Sequence, residues 1–365
     1  DAGTSRPATS PAATSPAATS RAATSRAATS RSITIADVAA RAGVSKGSVS
    51  FAFNDRPGIA PGTRERILTA ARDLGYVPSR AARSLSNRRS DAVGLVLNRP
   101  HDVLRADPFF PPFIAGVESI ISPAGSAIVL RFVQPDEEAE VYTTLAGTGQ
   151  IDGAILTDLR RGDPRPALLD SLGLPFVSLN RPPGASSGPA VRLDDRPGVQ
   201  AAVRALADLG HRRIGHVAGP AEFLHASARR DAWERAVHDC GLDAGPVVAA
   251  DFSAAGGAAA TETLLDSAQP PSAIVYASDL MAMAGMATAQ RRGLRVPGDL
   301  SVVGFDDTDL AAHLHPSLSS VRTDAFGWGA AVGTLLLHVV GGGSADDLDL
   351  PPAQFIPRGS LGPPH

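Results

Sequence analysis

Near the end of the chain stand three carboxylates and two imidazoles, Asp306, Asp307 and Asp309 followed by His313 and His315. These residue types can ligate a metal or move protons. Their spacing matches no fixed ligand pattern, and no His-x-x-x-His pair occurs to anchor a zinc. A Gly-x-x-x-x-Gly-Lys phosphate loop is absent too. Catalysis, a metal and an organic cofactor are therefore not expected. Cys240 is the only cysteine, which excludes a disulfide framework and a thiolate metal site. It follows the amphipathic positions Trp233, Ala236 and Val237 and reads as a buried, inert thiol.

The chemistry that the residues do support is recognition of a polyanion. Net charge is −3 over 365 residues, which by itself gives no hint of nucleic acid. Its distribution does. Residues 31–89 hold 11 Arg or Lys against 4 Asp or Glu, and residues 90–365 hold 20 against 32. A basic N-terminal module on an acidic body is the asymmetry of a nucleic-acid binder. Lys46, the sole lysine, lies inside that module and can donate to guanine O6 and N7. Gly47 beside it permits close approach. Ser45, Ser48 and Ser50 can bond phosphates, and Phe51 can meet a thymine methyl. Thr34 and Asn54 complete the candidates at the two ends of this stretch.

Those residues need a scaffold, and the surrounding pattern supplies one. Thr34-Ile35-Ala36-Asp37 reads as an N-cap with an acidic third helical position, close to a capping box. A short helix follows with Val38, Ala39 and Ala42 on one face, and Gly43 stops it. Ser45 caps a second helix from Lys46 to about Phe53, which offers Val49, Ala52 and Phe53 for burial. A third helix from about Thr63 to Leu74 presents Ile67, Ala70, Ala71 and Leu74 at helical spacing, and Gly75 ends it. Two short helices joined by a Gly-containing turn make a helix-turn-helix.

From Ala92 onward, short apolar runs alternate with helical stretches. Strands are expected at 93–97, 127–133, 153–156, 175–179, 214–218, 273–276 and 301–304. Helices are expected at 113–121, 199–209, 228–238, 258–265 and 280–291. Such alternation implies parallel sheets flanked by helices, and the length suits two lobes. Residues 1–31 repeat Ala-Ala-Thr-Ser with Pro or Arg and read as a disordered tail. No run of about 18 apolar residues marks a membrane span, and no apolar signal core opens the sequence. A cytoplasmic, nucleoid-associated protein with no membrane partner is the expectation.

The stretch from Ile33 to Leu85 resembles the headpiece and hinge of the lactose/galactose repressor family. The similarity rests on Thr-x-x-Asp-Val-Ala, Ala-Gly-Val-Ser, Thr-Arg-Glu-Arg-Ile and Leu-Gly-Tyr-x-Pro, and it continues to about residue 325. The fold it implies is an α/β two-lobed, periplasmic-binding-protein-like core behind an all-α headpiece. Its domains would be a headpiece at 32–78, a hinge helix at 79–91, a first lobe at 92–192 plus 325–342, a second lobe at 193–324 plus 343–357, and a flexible tail at 358–365. Interlobe crossings would fall near 192, 324 and 343.

The resemblance also assigns roles. Arg80, Ala82, Leu85 and Arg88 match a hinge helix at the minor groove, with Leu85 as a wedge that unstacks a base step. Phe109, Phe110, Arg229, Phe252, Asp279 and Asp306 match an effector site between the lobes, a kit suited to sugars. Asp279 also reads as a helix cap. Two departures stand out: many relatives carry a polar or basic residue where Phe51 stands, and a Gly where Ala232 stands. The implied function is a transcriptional regulator, by family habit a repressor. It would bind double-stranded DNA at a pseudo-palindromic operator as a homodimer, under control of a small effector. No leucine heptad supports a tetramer. A transporter's sugar-binding protein would lack the headpiece, and an effector-independent regulator would not need Arg229, Phe252 and Asp306.

Overall fold

A computed structural model describes residues 33–53, 56–77, 89–99, 106–134, 137–181 and 188–364. The chain forms two compact units, Asp1–Pro78 and Ser79–His365.

The first unit is a three-helix headpiece, with α1 at Ile35–Ala42, α2 at Lys46–Phe53 and α3 at Pro61–Leu74. The Asp37 carboxylate accepts the Thr34 N–H at 2.8 Å and the Thr34 hydroxyl at 2.7 Å, closing the first turn. Gly43 ends α1 at φ 64°, where a side chain would be strained. Ser45 Oγ accepts the Ser48 N–H at 3.0 Å and so caps α2. Helix α3 begins at Pro61, earlier than the periodicity suggests, because proline at the first turn forfeits no helical hydrogen bond. Val38, Val49, Ile67, Ala70 and Ala71 form the core. Arg64 Nη1 donates to Ala52 O at 2.9 Å and locks α3 onto the end of α2.

The second unit holds two six-stranded sheets. One contains β1 (Ala92–Leu97), β2 (Ala127–Phe132), β3 (Gly153–Leu156), β4 (Phe176–Leu179), β5 (Ala190–Arg192) and β11 (Leu348–Asp349), in the order β11-β5-β4-β3-β1-β2. The other contains β6 (Arg213–Ala218), β7 (Asp243–Ala249), β8 (Ala273–Tyr276), β9 (Ser301–Asp306), β10 (Ser319–Arg322) and β12 (Gln354–Ile356), in the order β12-β10-β9-β8-β6-β7. Neighbouring strands are parallel except β10 and β12. Helices α4 (Phe110–Ile121), α5 (Glu138–Gly147), α6 (Arg165–Ser171) and α12 (Ala325–Val340) belong to the first lobe. Helices α7 (Arg196–Asp208), α8 (Leu224–Asp239), α9 (Ala254–Leu265), α10 (Asp279–Arg291) and α11 (Asp309–His313) belong to the second. Helices on both faces explain why β1 is buried along its whole length and reads as a continuous apolar run. Helices α4 and α12 approach closely because both carry glycine at the contact. A Cβ on Gly329 would sit 2.0 Å from Phe113 O.

The chain passes between the lobes after β5, after β10, and between β11 and β12. The last passage falls at 350–353, later than the expected 343. Parallel pairing of Leu348 and Asp349 with Val191 and Arg192 keeps the chain in the first lobe until then. The expected flexible tail is corrected as well. Ser360 is fully buried and donates to Val302 O at 2.6 Å, and Gly362 N bonds Ser301 Oγ at 3.0 Å. Polar residues with no apolar periodicity gave no sign of this packing.

Candidate functional site

On the headpiece, Val49 and Ala52 turn inward, while Ser45, Lys46, Gly47 and Phe51 are exposed on α2, and Thr34 is exposed at the start of α1. Ser48 and Ser50 are half-buried, and Ser48 Oγ lies 3.0 Å from Ser45 Oγ. Phe51 lies 41% exposed, a large apolar ring left on a polar surface, with the Arg56 guanidinium 5.8 Å from its centroid. A Cβ on Gly47 would meet only Ser45 Oγ, at 3.6 Å, so nothing among the described residues demands glycine there. Asn54, Arg80, Ala82, Leu85 and Arg88 lie outside the described residues.

Between the two lobes is a cleft lined by residues of both. The ends of β1, β3 and β4 bring Arg99, Thr157, Asp158 and Asn180 to it, and the start of α4 brings Asp107 and Phe109. The second lobe contributes His225 and Arg229 from α8, Phe252 from the turn before α9, and Asp306 from the end of β9. This is the position that parallel sheets favour for ligands, the crevice beyond the carboxyl ends of their strands. Phe109, Arg229, Phe252 and Asp306 thus share one cavity. Phe110 does not line it: the ring is 3% exposed and belongs to the first-lobe core, with Phe109 edge-on at 5.3 Å. Asp279 does not line it either. Its buried carboxylate accepts Thr308 N at 2.8 Å, Thr308 Oγ1 at 2.9 Å and Ser320 Oγ at 2.6 Å. Ser278, not Asp279, caps α10. Asp279 therefore anchors the loop that carries Asp306.

The cleft has an aromatic wall. His225 stacks on Phe223 and on Phe252, with both centroid distances 5.6 Å. Burial, reinforced by the positive charge of Arg229, pushes the His225 imidazole down to about 3, so the ring is neutral at physiological pH. Arg99 faces this wall across the lobes, 5.2 Å from the Phe252 centroid. The guanidinium is saturated by acids. Nε and Nη2 meet Asp158 at 2.6 and 2.7 Å, and Nη1 meets Asp107 at 2.5 Å. Burial would raise the Asp158 carboxyl, but the Arg99 charge and hydrogen bonds outweigh it and hold the group below its ordinary value. Asp107 is raised, because burial outweighs its attraction to Arg99.

Arg229 is paired with a single acid. Nε donates to Asp195 Oδ2 at 2.8 Å, Nη1 donates to Ala277 O at 2.9 Å, and the guanidinium lies 3.5 Å from the Phe305 centroid. Asp306 has φ 116°, a conformation disfavoured for an L-residue. Burial, and then the negative charge of Asp279, raises its carboxyl well above the usual range, with Arg229 as a partial offset. The lobes also touch above the cavity, where Leu224 N donates to Leu159 O at 2.9 Å.

Sequence reasoning missed Arg99, Asp107, Asp158, Asn180 and His225. A usable sign existed for two of them. Asp158 and Asn180 adopt φ 51° and 58° just past β3 and β4. Asp and Asn tolerate that conformation and can be sought after each apolar run of a parallel sheet.

A helix-turn-helix followed by a two-lobed periplasmic-binding-protein-like core defines a class, a DNA-binding regulator with a ligand cleft. Residues 34–79 match bacterial regulatory proteins of the lacI family, and residues 203–361 match the periplasmic binding protein-like domain. The chain is 35% identical over 317 residues to the HTH-type transcriptional regulator CelR of Thermobifida fusca, covering 86% of this chain and 93% of that protein. The chain belongs to the lacI family of transcriptional regulators. Among solved structures it is similar to a CelR–cellobiose complex, at TM-score 0.69 and 33% identity over 90% of this chain and 99% of that one. It is also similar to the lac repressor dimer bound to operator and an anti-inducer, at TM-score 0.78 and 26% identity over 91% and 100% of the two chains.

Proposed function

We propose that this regulator is a repressor that binds a pseudo-palindromic operator as a homodimer and responds to an uncharged sugar held in the interlobe cleft. The observation that carries the effector class is the state of the two cleft arginines. Arg99 is paired with Asp158 and Asp107, and Arg229 with Asp195. No unpaired cation among the described lining residues remains to receive a phosphate or carboxylate. Asp306 adds a further acceptor, and the Phe252 and His225 faces suit the C–H surface of a pyranose. An anionic ligand would have to compete with Asp158 and Asp107 for Arg99 and with Asp195 for Arg229.

In this reading Phe109, Arg229, Phe252 and Asp306 bind the effector, joined by Asp158 and Asn180. Lys46 reads base edges in the major groove, with Phe51 one turn on. Thr34, Ser45, Ser48 and Ser50 contact the backbone. The roles of Asn54, Arg80, Ala82, Leu85 and Arg88 rest on family resemblance. The cellobiose complex of CelR makes β-linked glucose disaccharides the first ligands to try. Differential affinity of the sugar for two lobe arrangements then sets operator occupancy.

The test is operator selection from random DNA with the full chain, repeated with neutral sugars and with their phosphates. A pseudo-palindrome whose retention responds to a neutral sugar is the expected result. A response confined to sugar phosphates would overturn the effector class, and no enrichment would overturn the DNA-binding assignments.

A further inference from the structure

The loop that presents Asp306 to the cleft has a second carboxylate that points the other way. Asp307, at φ 56°, has its side chain only 3% exposed. Arg322 Nε, on the last residue of β10, lies 2.6 Å from Asp307 Oδ2. Arg358 Nη2 lies 2.5 Å from Asp307 Oδ1. That oxygen is buried and accepts no hydrogen bond of good geometry among the described residues, so the Arg358 charge beside it is its compensation. Arg358 is itself mostly buried and fixed from behind, with Nη1 donating to Leu318 O at 2.7 Å and its backbone N–H to Ser319 Oγ at 2.8 Å.

The three charges join elements of different consequence. Strand β10 leads into the second interlobe passage, and β12, which ends two residues before Arg358, leads out of the third. Consecutive positive φ values at Asp306 and Asp307 persist only where the surroundings over-determine them. Asp279 secures the far side of the loop through Thr308, and Asp307 N donates to Ser320 Oγ at 3.0 Å. The near side hangs on Asp307 and its two arginines. Removing Arg358 leaves the buried Asp307 carboxylate with only the half-exposed Arg322 as counter-charge and leaves nothing beside Oδ1, and a buried charge that loses a partner is opposed. The loop then has to turn that carboxylate toward water, and Asp306 is the adjoining residue.

We propose that Arg358 is a positioning residue for the effector site: through Asp307 it aims the Asp306 carboxylate into the cleft and ties that loop to the two strands that feed the interlobe passages. The inference rests on Asp306 as an effector ligand. It gives the segment beyond β12 a part in ligand response, although that segment does not line the cleft.

Amide hydrogen exchange on the full chain without ligand tests the positioning, with Arg358→Gln and Asp307→Asn as independent variants. Both are expected to speed exchange of the Asp307 and Thr308 amides by about tenfold or more while β8 amides keep their wild-type protection. Calorimetric titration with cellobiose should show a parallel fall in affinity of about tenfold, in the range of a displaced charged hydrogen bond. Unchanged protection at 307–308 in both variants overturns the proposal. Loss of protection spread evenly through β8 and β9 also overturns it, because Arg358 would then only stabilise the lobe. A wild-type chain that ignores cellobiose counts against that sugar as effector, and the exchange comparison still decides the positioning.

Discussion

Arg229 on α8 and Asp195, between β5 and α7, pair with Nε 2.8 Å from Oδ2. Their side chains are 12% and 5% exposed. Asp195 lies on the first passage between the lobes, so the arginine that lines the cleft is fastened to a segment that must flex if the lobes move. Arg229→Ala should abolish the response of operator binding to sugar while leaving sugar-free binding within about threefold. It should also destabilise the chain by roughly 3 kcal/mol, the cost of breaking a buried pair from one side. Operator titrations with and without sugar, alongside urea denaturation, check both effects. A variant that still releases or gains DNA on sugar addition would remove Arg229 from the effector site.

His216 makes the fold sensitive to acid. It is 1% exposed, its Nδ1 lies 2.8 Å from Val275 O, and its ring stacks on Trp233 at 5.4 Å. Burial pushes the imidazole down to about 4 against an ordinary 6.5. A depressed folded-state value means that the unfolded chain binds the extra proton first. The stability is fully present above 6.5 and is lost as pH falls toward 4, by roughly 3 kcal/mol in total. His216→Gln should flatten this part of the stability–pH curve. Urea midpoints measured from pH 4 to 7 would show it, and parallel curves for the two proteins would assign the acid sensitivity elsewhere.

What could be read in advance follows physical lines. The headpiece was legible because its helices carry their own boundaries: Thr34 and Asp37, Gly43, Ser45 and Gly75 act within a few residues of sequence. Buried strands such as β1 and β3 announced themselves as apolar runs. Strands β5, β7, β11 and β12 did not, being short or lying at a sheet edge, where pairing rather than burial defines them, and neither did the buried interior strand β10, whose two leading serines break the apolar run. Helix starts were placed late at α4, α7, α8 and α9. The first turns there hold proline, polar or small residues, and periodicity begins only where burial recurs. In the cleft, Arg99 and Asp107 flank a stretch with no periodic signal, and only the fold brings them to Asp158. The separation of Phe109 from Phe110, and of Asp306 from Asp279, depends on side-chain direction, to which pattern matching is blind.

Lys46 opens α2, exposed, with Gly47 and Phe51 on the same open surface. A lysine there can bond guanine O6 and N7, and such contacts discriminate by about 1–3 kcal/mol per base pair. Lys46→Gln should weaken binding to the selected operator by that amount and relax preference at one position in each half-site. Binding to unrelated DNA should fall far less. Repeating the operator selection with the variant reads this directly. An unchanged consensus at every position would make Lys46 a phosphate contact and not a base reader.

Asp306 ties effector affinity to pH in a window above that of an ordinary surface acid. Its carboxyl is raised well above the usual range, by burial first and by Asp279 second, so the empty cleft favours the protonated form. A sugar hydroxyl that donates to Asp306 favours the ionised form, so binding expels a proton. Affinity should therefore climb as pH rises above the ordinary carboxylate range and level off once Asp306 is ionised without ligand. For stability the sign is reversed. A raised folded-state value gives a contribution that is present below the unfolded value of 3.8 and lost as pH rises through the folded one. Asp306→Asn should consequently bind sugar more weakly, lose the pH slope of binding, and be more stable than wild type near neutral pH when no sugar is bound. Titration calorimetry at several pH values and urea unfolding test these together. A variant that keeps the wild-type pH slope would show that another group, with Asp107 the foremost candidate, carries the proton released on binding.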